Sequence, residues 1–237
     1  MIQTNSLRKS FAGRPAVDGL TFSAEDGAIT GLVGPNGSGK TTTLRLIAGL
    51  LRPESGRALV SGVDPAQDPI GARRRLGALT DGLGSYPRLT TREHLRYFGE
   101  LRGMRGPELE RRIRFLLDLF DMERIADRRA LGFSQGERMK LALARAVIND
   151  PPNIVLDEPA NGLDVASTRA LRTLIGSLRD AGKCVLLSSH LMAEVAAICD
   201  TVVVVARGKV VAQGPPDELT SATNARNLEE AFVELTA

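Results

Sequence analysis

Apolar residues in this chain fall into two kinds of run. Ala28 to Val33, Asn153 to Leu156, Val185 to Ser188 and Val202 to Ala206 are short and nearly unbroken. Runs of that length predict strands covered on both faces. Arg57 to Ser61 and Leu76 to Thr80 are shorter strand candidates. Between them lie helical patterns, notably Thr42 to Leu51 and Ala166 to Asp180, the latter followed by Gly182 as a C-cap. Strands and helices in alternation predict an α/β fold with a mostly parallel sheet.

The middle of the chain has a different pattern. From Thr90 to Asn149 there are helix signals and no convincing strand. Thr90 with Glu93 has capping-box spacing, and Leu95, Phe98 and Leu101 then mark one helix face. A second helix is expected over about Pro107 to Phe120, and a third from Ser134, with Glu137 three residues on, to about Asn149. The expected organisation is a catalytic core of about 1–80 and 150–237 around an inserted helical subdomain of about 81–149.

Composition removes several alternatives. Of 237 residues, 43% are hydrophobic and 25% charged, as in a folded globular domain and unlike a disordered or collagen-like chain. Cys184 and Cys199 are far apart and form no CxxC pair, which excludes a disulfide scaffold and a local zinc knuckle and fits a reducing compartment. The first apolar stretch is interrupted by Arg8, Lys9, Arg14 and Asp18, unlike a signal peptide. No apolar run is longer than Val202 to Ala206, which is far shorter than the roughly 20 residues of a membrane helix. A cytosolic location is expected. The net charge is only +3, and the arginines are scattered among acids without interleaved aromatics. No stacking platform for nucleic-acid bases is expected.

The sharpest chemical signal is Gly34-Pro35-Asn36-Gly37-Ser38-Gly39-Lys40-Thr41-Thr42, set between a strand and a helix. It satisfies G-x-x-x-x-G-K-[ST] in the context that the motif requires. Glycines let successive N–H groups curl around phosphate oxygens, and the helix N-terminus adds its positive end. Lys40 is placed to reach β- and γ-phosphates, and Thr41 offers a hydroxyl to Mg²⁺. Together these features point to a nucleotide site. Downstream, Ile154-Val155-Leu156-Asp157-Glu158 ends an apolar strand in two acids, at the sheet edge where open α/β folds bind ligands. Asp157 is the candidate to hold Mg²⁺ through water, and Glu158 to orient or deprotonate an attacking water. Phe133-Ser134-Gln135-Gly136-Glu137 opens a helix. Ser134 and Glu137 can be a plain reciprocal cap, and the same polarised end can bind a phosphate, so local sequence leaves both readings open.

In this order the motifs resemble the ATP-binding cassette (ABC) ATPases of membrane transporters, over nearly the whole chain. The resemblance implies a P-loop NTPase (RecA-like) core with a small antiparallel β region. It sets Phe11 where an aromatic stacks on adenine, Phe133 to Glu137 at the signature sequence, and Ile154 to Glu158 at the second nucleotide motif. Asn161-Gly162-Leu163-Asp164 resembles a loop that signals across a dimer, and His190 a switch histidine that senses γ-phosphate. Three positions depart from the family. Asp81 stands in the lobe-joining loop where glutamine contacts Mg²⁺ and water, and it is shorter and charged, which makes it a further metal candidate. In the signature, usually LSGGQ, Gln135 and Glu137 replace glycine and glutamine, while Ser134 and Gly136 are retained. These variants, with Tyr86 to Thr90 and the ending Leu228 to Leu235, resemble subunits of bacterial export systems, and among those most resemble sodium-exporting ones.

What the resemblance implies is a head-to-tail pair of ATPase chains, identical or different, with two ATP molecules between them. Permease subunits would dock on the helical lobe and the Asp81 to Arg105 region, on the cytoplasmic side of the membrane. Two other classes fit less well. A soluble ABC ATPase acting on nucleic acid or ribosomes would carry coiled-coil insertions, zinc modules or two cassettes, and this sequence has one phosphate loop, no heptad run and no cysteine cluster. A kinase or GTPase would leave the signature helix and His190 unexplained, and no N-K-x-D motif is present. A regulatory module that binds ATP without turnover would have no use for Glu158.

Overall fold

The structure, a computed structural model, describes residues 1–80 and 84–236. Asp81, the expected lobe-joining residue, lies outside the described residues. The chain divides into two compact units: 1–80 with 152–159 and 175–237, and 81–151 with 160–174. Residues 160–174 thus group with the helical residues and not with the sheet residues on either side of them.

The first unit is built on two sheets. Six strands lie in the order β5 (Leu76–Leu79), β6 (Asn153–Leu156), β7 (Cys184–Ser189), β3 (Ile29–Val33), β8 (Thr201–Ala206) and β9 (Lys209–Gly214). The first five are mutually parallel and only β9 is antiparallel, so the expected mostly parallel α/β sheet is present. All residues of β3, β6 and β7 are buried, which is why their sequences lack a polar face. A second, three-stranded antiparallel sheet has the order β2 (Arg14–Ala24), β1 (Ile2–Phe11) and β4 (Ser55–Val60). Both cysteines are buried and unbridged, and burial pushes the thiols up to about 11 for Cys184 and about 12 for Cys199. Neither is a nucleophile near neutral pH.

Helix boundaries differ from the sequence expectation by a few residues. The helix after the glycine-rich loop is α1 (Lys40–Ile47), beginning earlier and ending sooner than Thr42 to Leu51. α2 (Pro69–Arg74), with Asp68 as its N-cap, was not anticipated. The long helix α6 (Val165–Asp180) ends as expected: the Gly182 N–H donates to Arg179 O and the Lys183 N–H to Leu178 O, which satisfies its last carbonyls. α7 (Met192–Ile198), α8 (Pro216–Ala222) and α9 (Leu228–Thr236) complete this part of the chain.

In the second unit, α3 (Thr91–Leu101) contacts both α4 (Gly106–Leu119) and α5 (Gln135–Ala146), and Leu95, Leu109, Ile113, Leu116 and Leu143 on these helices are all essentially inaccessible. The capping box at Thr90 and Glu93 is formed in both directions. The buried face of α3 corrects the sequence reading. It consists of Thr91, His94, Leu95 and Gly99, while Leu101 is 64% exposed. Hydrogen bonds account for the polar members. Thr91 Oγ1 donates to Ile125 O at 2.9 Å, His94 Nε2 accepts the Tyr86 N–H at 2.9 Å, and His94 Nδ1 lies 2.8 Å from Thr90 O. Polar groups partnered in this way are buried without the usual penalty.

Candidate functional site

The glycine-rich loop joins the end of β3 to the start of α1, and α1 carries no acid in its first turn to oppose an anion. Gly39, the residue before the helix, has φ of +106°, and a Cβ there would stand 2.2 Å from Ala16 O. Both its backbone conformation and its close approach therefore require glycine. Pro35, Asn36 and Gly37 are exposed, whereas Ser38 and Lys40 are buried. Lys40 Nζ donates to Gly34 O at 2.7 Å and to Pro35 O at 3.3 Å, so its ammonium lies along the loop's own carbonyls. Thr41 and Thr42 are half-buried on the first turn of the helix.

The ends of neighbouring parallel strands bring a second set of groups together. Leu156 pairs with Leu187 and Val33 with Ser189, which aligns the C-terminal edges of β6, β7 and β3. The Ser188 hydroxyl donates to Asp157 Oδ1 at 2.6 Å and accepts the Glu158 N–H at 2.9 Å. Glu158 adopts φ of +49°, a left-handed conformation that costs a non-glycine residue on the order of 1–2 kcal/mol. In that conformation its Oε2 lies 2.7 Å from His190 Nδ1. Asp157, Glu158 and His190 were singled out from sequence, and the geometry adds Ser188. The signal for it was the pair of hydroxyls, Ser188 and Ser189, that closes an apolar run just before His190. Phe11, in the same unit, sits at the end of β1, 48% exposed, with Lys9 Nζ 5.7 Å from its ring centroid.

The remaining motif residues lie in the second unit. Ser134 caps α5, its Oγ accepting the Glu137 N–H at 3.2 Å, while Glu137 Oε2 accepts the Ser134 N–H at 2.8 Å. Arg128 bonds the other oxygen of Glu137 at 2.9 Å. Burial of the Glu137 carboxyl works against its charge, but the Ser134 N–H and Arg128 outweigh it and hold the group below the ordinary carboxylate value. Gln135 Nε2 donates to Asn161 O at 3.2 Å, and a Cβ on Gly136 would lie 2.6 Å from Ser167 Oγ. Asp164 Oδ1 accepts the Ser167 N–H at 2.7 Å, and that backbone bond is the main cause of its lowered pKa.

A family model described as ABC transporter matches residues 17–161, from β2 through the glycine-rich loop to Asn161. The chain belongs to the ABC transporter family. Within that family it is an ATP-binding cassette, the ATPase subunit. Among the described residues no helix is long and apolar enough to cross a membrane. It is 41% identical over 219 residues to the ABC transporter ATP-binding protein NatA of Bacillus subtilis, covering 92% of this chain and 89% of that one. It is 36% identical to the Nod factor export ATP-binding protein I of Ralstonia nicotianae, covering 92% and 68% respectively. Among solved structures, an ATP-binding subunit of an ABC transporter matches over the whole of both chains with TM-score 0.91 at 31% identity. A dimeric bacterial ABC transporter cassette matches with TM-score 0.81 at 24% identity, over 91% of this chain and 98% of that one, and shares the fold.

Proposed function

We propose that this ABC subunit holds ATP at Gly34 to Thr42 and hydrolyses it at the Asp157–Glu158 end of β6, with Ser134 and Gly136 of a second cassette closing the site. The observation that carries this reading is the network around Ser188. One hydroxyl orients the Asp157 carboxylate and the Glu158 backbone together, and it does so at the sheet edge where the phosphate loop begins. Phosphoryl transfer needs little covalent help from a protein, so positioning and neutralisation of charge do most of the work.

Each group then has a task. Lys40 exchanges its bonds to the Gly34 and Pro35 carbonyls for phosphate oxygens, which cost it no new desolvation because it is already buried. Backbone N–H groups of Asn36 to Thr42 surround the phosphates, and the exposed ring of Phe11 offers a stacking face to the base. Glu158 takes the proton of the attacking water. His190 holds the Glu158 carboxylate and meets the γ-phosphate. Among the described residues no group of three or more His, Cys, Asp or Glu could hold a metal alone. The donors present are the Thr41 hydroxyl and Asp157, few and hard, which suits a Mg²⁺ held largely by phosphate oxygens and water. When bound, that ion neutralises charge on the β- and γ-phosphates. Asp81 is a third candidate donor.

Dimerisation on ATP and reopening after hydrolysis would be the motion delivered to permease subunits at the cytoplasmic face of the membrane, with Asp164 in the loop that signals between the two chains. Export is the direction supported by the Nod factor export relative, and the sequence's resemblance to sodium-exporting subunits makes Na⁺ the first cargo to test. The residue assignments are tested by Glu158→Gln. Phosphate release should fall about 10²–10⁴-fold, the range of a lost general base, while light scattering shows a dimer that persists in ATP. Wild-type turnover in that variant would remove Glu158 as the base.

A further inference from the structure

Gln135 is the signature residue whose side chain has no counterpart in the family pattern, where a glycine stands. Here that side chain leaves α5 and donates to the carbonyl of Asn161, at 3.2 Å. The receiving loop passes close to it. Gly162 has φ of +72°, and a Cβ at that position would fall 2.4 Å from Gln135 Nε2. A second seam lies alongside: Gly136 comes so close to Ser167 that a Cβ would meet its Oγ at 2.6 Å, and the Ser167 N–H is held by Asp164. Two adjacent residues at the start of α5 therefore approach two points on the segment from Asn161 to Ser167, one of them through a hydrogen bond. Asn161 follows Glu158 by only three positions in the sequence.

We propose that Gln135 is a positioning residue for ATP turnover. It clasps the Ser134 end of α5 to the loop Asn161 to Asp164, so that a displacement of one is carried to the other and along the chain to Glu158. This rests on the reading that Ser134 and Gly136 meet nucleotide across a dimer. Its consequence is specific. Gln135 and Asn161 are both exposed, and a neutral hydrogen bond there competes with water and adds little stability. Loss of the clasp should show in the coupling of the two sites and not in folding.

The test uses the full chain with Gln135→Leu, similar in length but without a donor, and Gln135→Lys, which keeps one. For the leucine variant we expect thermal stability like that of the parent, affinity of the monomer for a fluorescent ATP analogue within about twofold, turnover about fivefold lower, and a Hill coefficient for ATP that falls toward one. The lysine variant should recover at least half of the lost turnover. A leucine variant with parental turnover and cooperativity overturns the clasp. The same substitution is then placed in the Glu158→Gln chain. If that double variant dimerises on ATP as Glu158→Gln alone does, Gln135 acts in transmission, as proposed. If it no longer dimerises, Gln135 is a nucleotide contact and the clasp is wrong. If Glu158→Gln alone stays monomeric in ATP, the head-to-tail reading itself falls and the clasp falls with it.

Discussion

The phosphate-loop side of the molecule and the signature side hold their motif residues by different means. Asp157, Glu158, Ser188 and His190 stand at the ends of β6 and β7, whose residues are buried throughout, and Lys40 is itself buried under its own loop. Ser134, Gln135, Asn161 and Asp164 are exposed, held by a capping box, one amide and one carboxylate cap. The first group takes its geometry from close-packed strands, where a displaced side chain costs packing as well as hydrogen bonds. The second depends on ties that water can replace one at a time. A site of the first kind can be finished before its ligand arrives. A site of the second kind can yield when a partner chain presses on it.

That contrast is broken most directly at Lys40. If the strand-edge side is a finished site that lacks only phosphate, Lys40→Ala should leave the fold intact and weaken ATP binding about a hundredfold or more. The estimate takes two hydrogen bonds to a charged group at about 1.5–3 kcal/mol each, with tenfold per 1.4 kcal/mol. Isothermal titration with MgATP reads it. Affinity close to that of the parent would show that the loop is not where nucleotide binds.

Ser188→Ala is the finer probe of the same side. It removes the hydroxyl shared by Asp157 and Glu158 while the backbone of β7 stays in register. Losing a bond to a carboxylate, worth about 1.5–3 kcal/mol, should lower kcat by about 10- to 150-fold. ATP affinity should change by less than about threefold, because Lys40 and the loop are untouched. A fall in affinity with kcat preserved would place Ser188 in binding and separate it from Glu158.

How far each side could be read from sequence follows the same division. The glycine-rich loop, the acids after β6 and both capping boxes are local patterns, spanning a few residues between strongly periodic elements, and the structure sets them at the strand and helix ends that the spacing predicts. The antiparallel pair β1 and β2 was expected only through the family resemblance, and the local pattern of residues did not announce it. Its alternation is interrupted where the register shifts between Thr4 and Leu7, with Ser6 at φ of +47°, so no period of two survives along the strand. The buried stripe of α3 was misread for a related reason. Apolar spacing favoured Leu101, but a threonine and a histidine occupy the core side because their partners, Ile125 O and the Tyr86 N–H, come from distant or non-helical residues. The tie from Gln135 to Asn161 joins residues 26 apart, and no local pattern announces it.

The smallest expected effect belongs to that histidine, and it asks whether the helical side has one firm point of its own. His94 is inaccessible, accepts the Tyr86 N–H at Nε2, and uses its Nδ1 toward Thr90 O. Burial is the main cause that holds its pKa below the ordinary 6.5, with the charge of Arg145 acting in the same direction and the Thr90 carbonyl opposing. Because the folded chain disfavours the protonated ring, the unfolded chain binds more protons between the folded value and 6.5. The stabilisation is therefore complete above 6.5 and is lost as pH falls through the folded value. Protonation would also place an N–H at Nε2 against the N–H of Tyr86. The thermal midpoint should drop by about 2–4 °C on that account, taking one lost hydrogen bond at about 1 kcal/mol in a chain of this size. In His94→Gln, which cannot titrate, the pH dependence assigned to this ring should vanish even if the midpoint is lower throughout. If the slope is the same in both proteins, the acid sensitivity lies elsewhere, and the helical side owes its firmness to Leu95 and its neighbours alone.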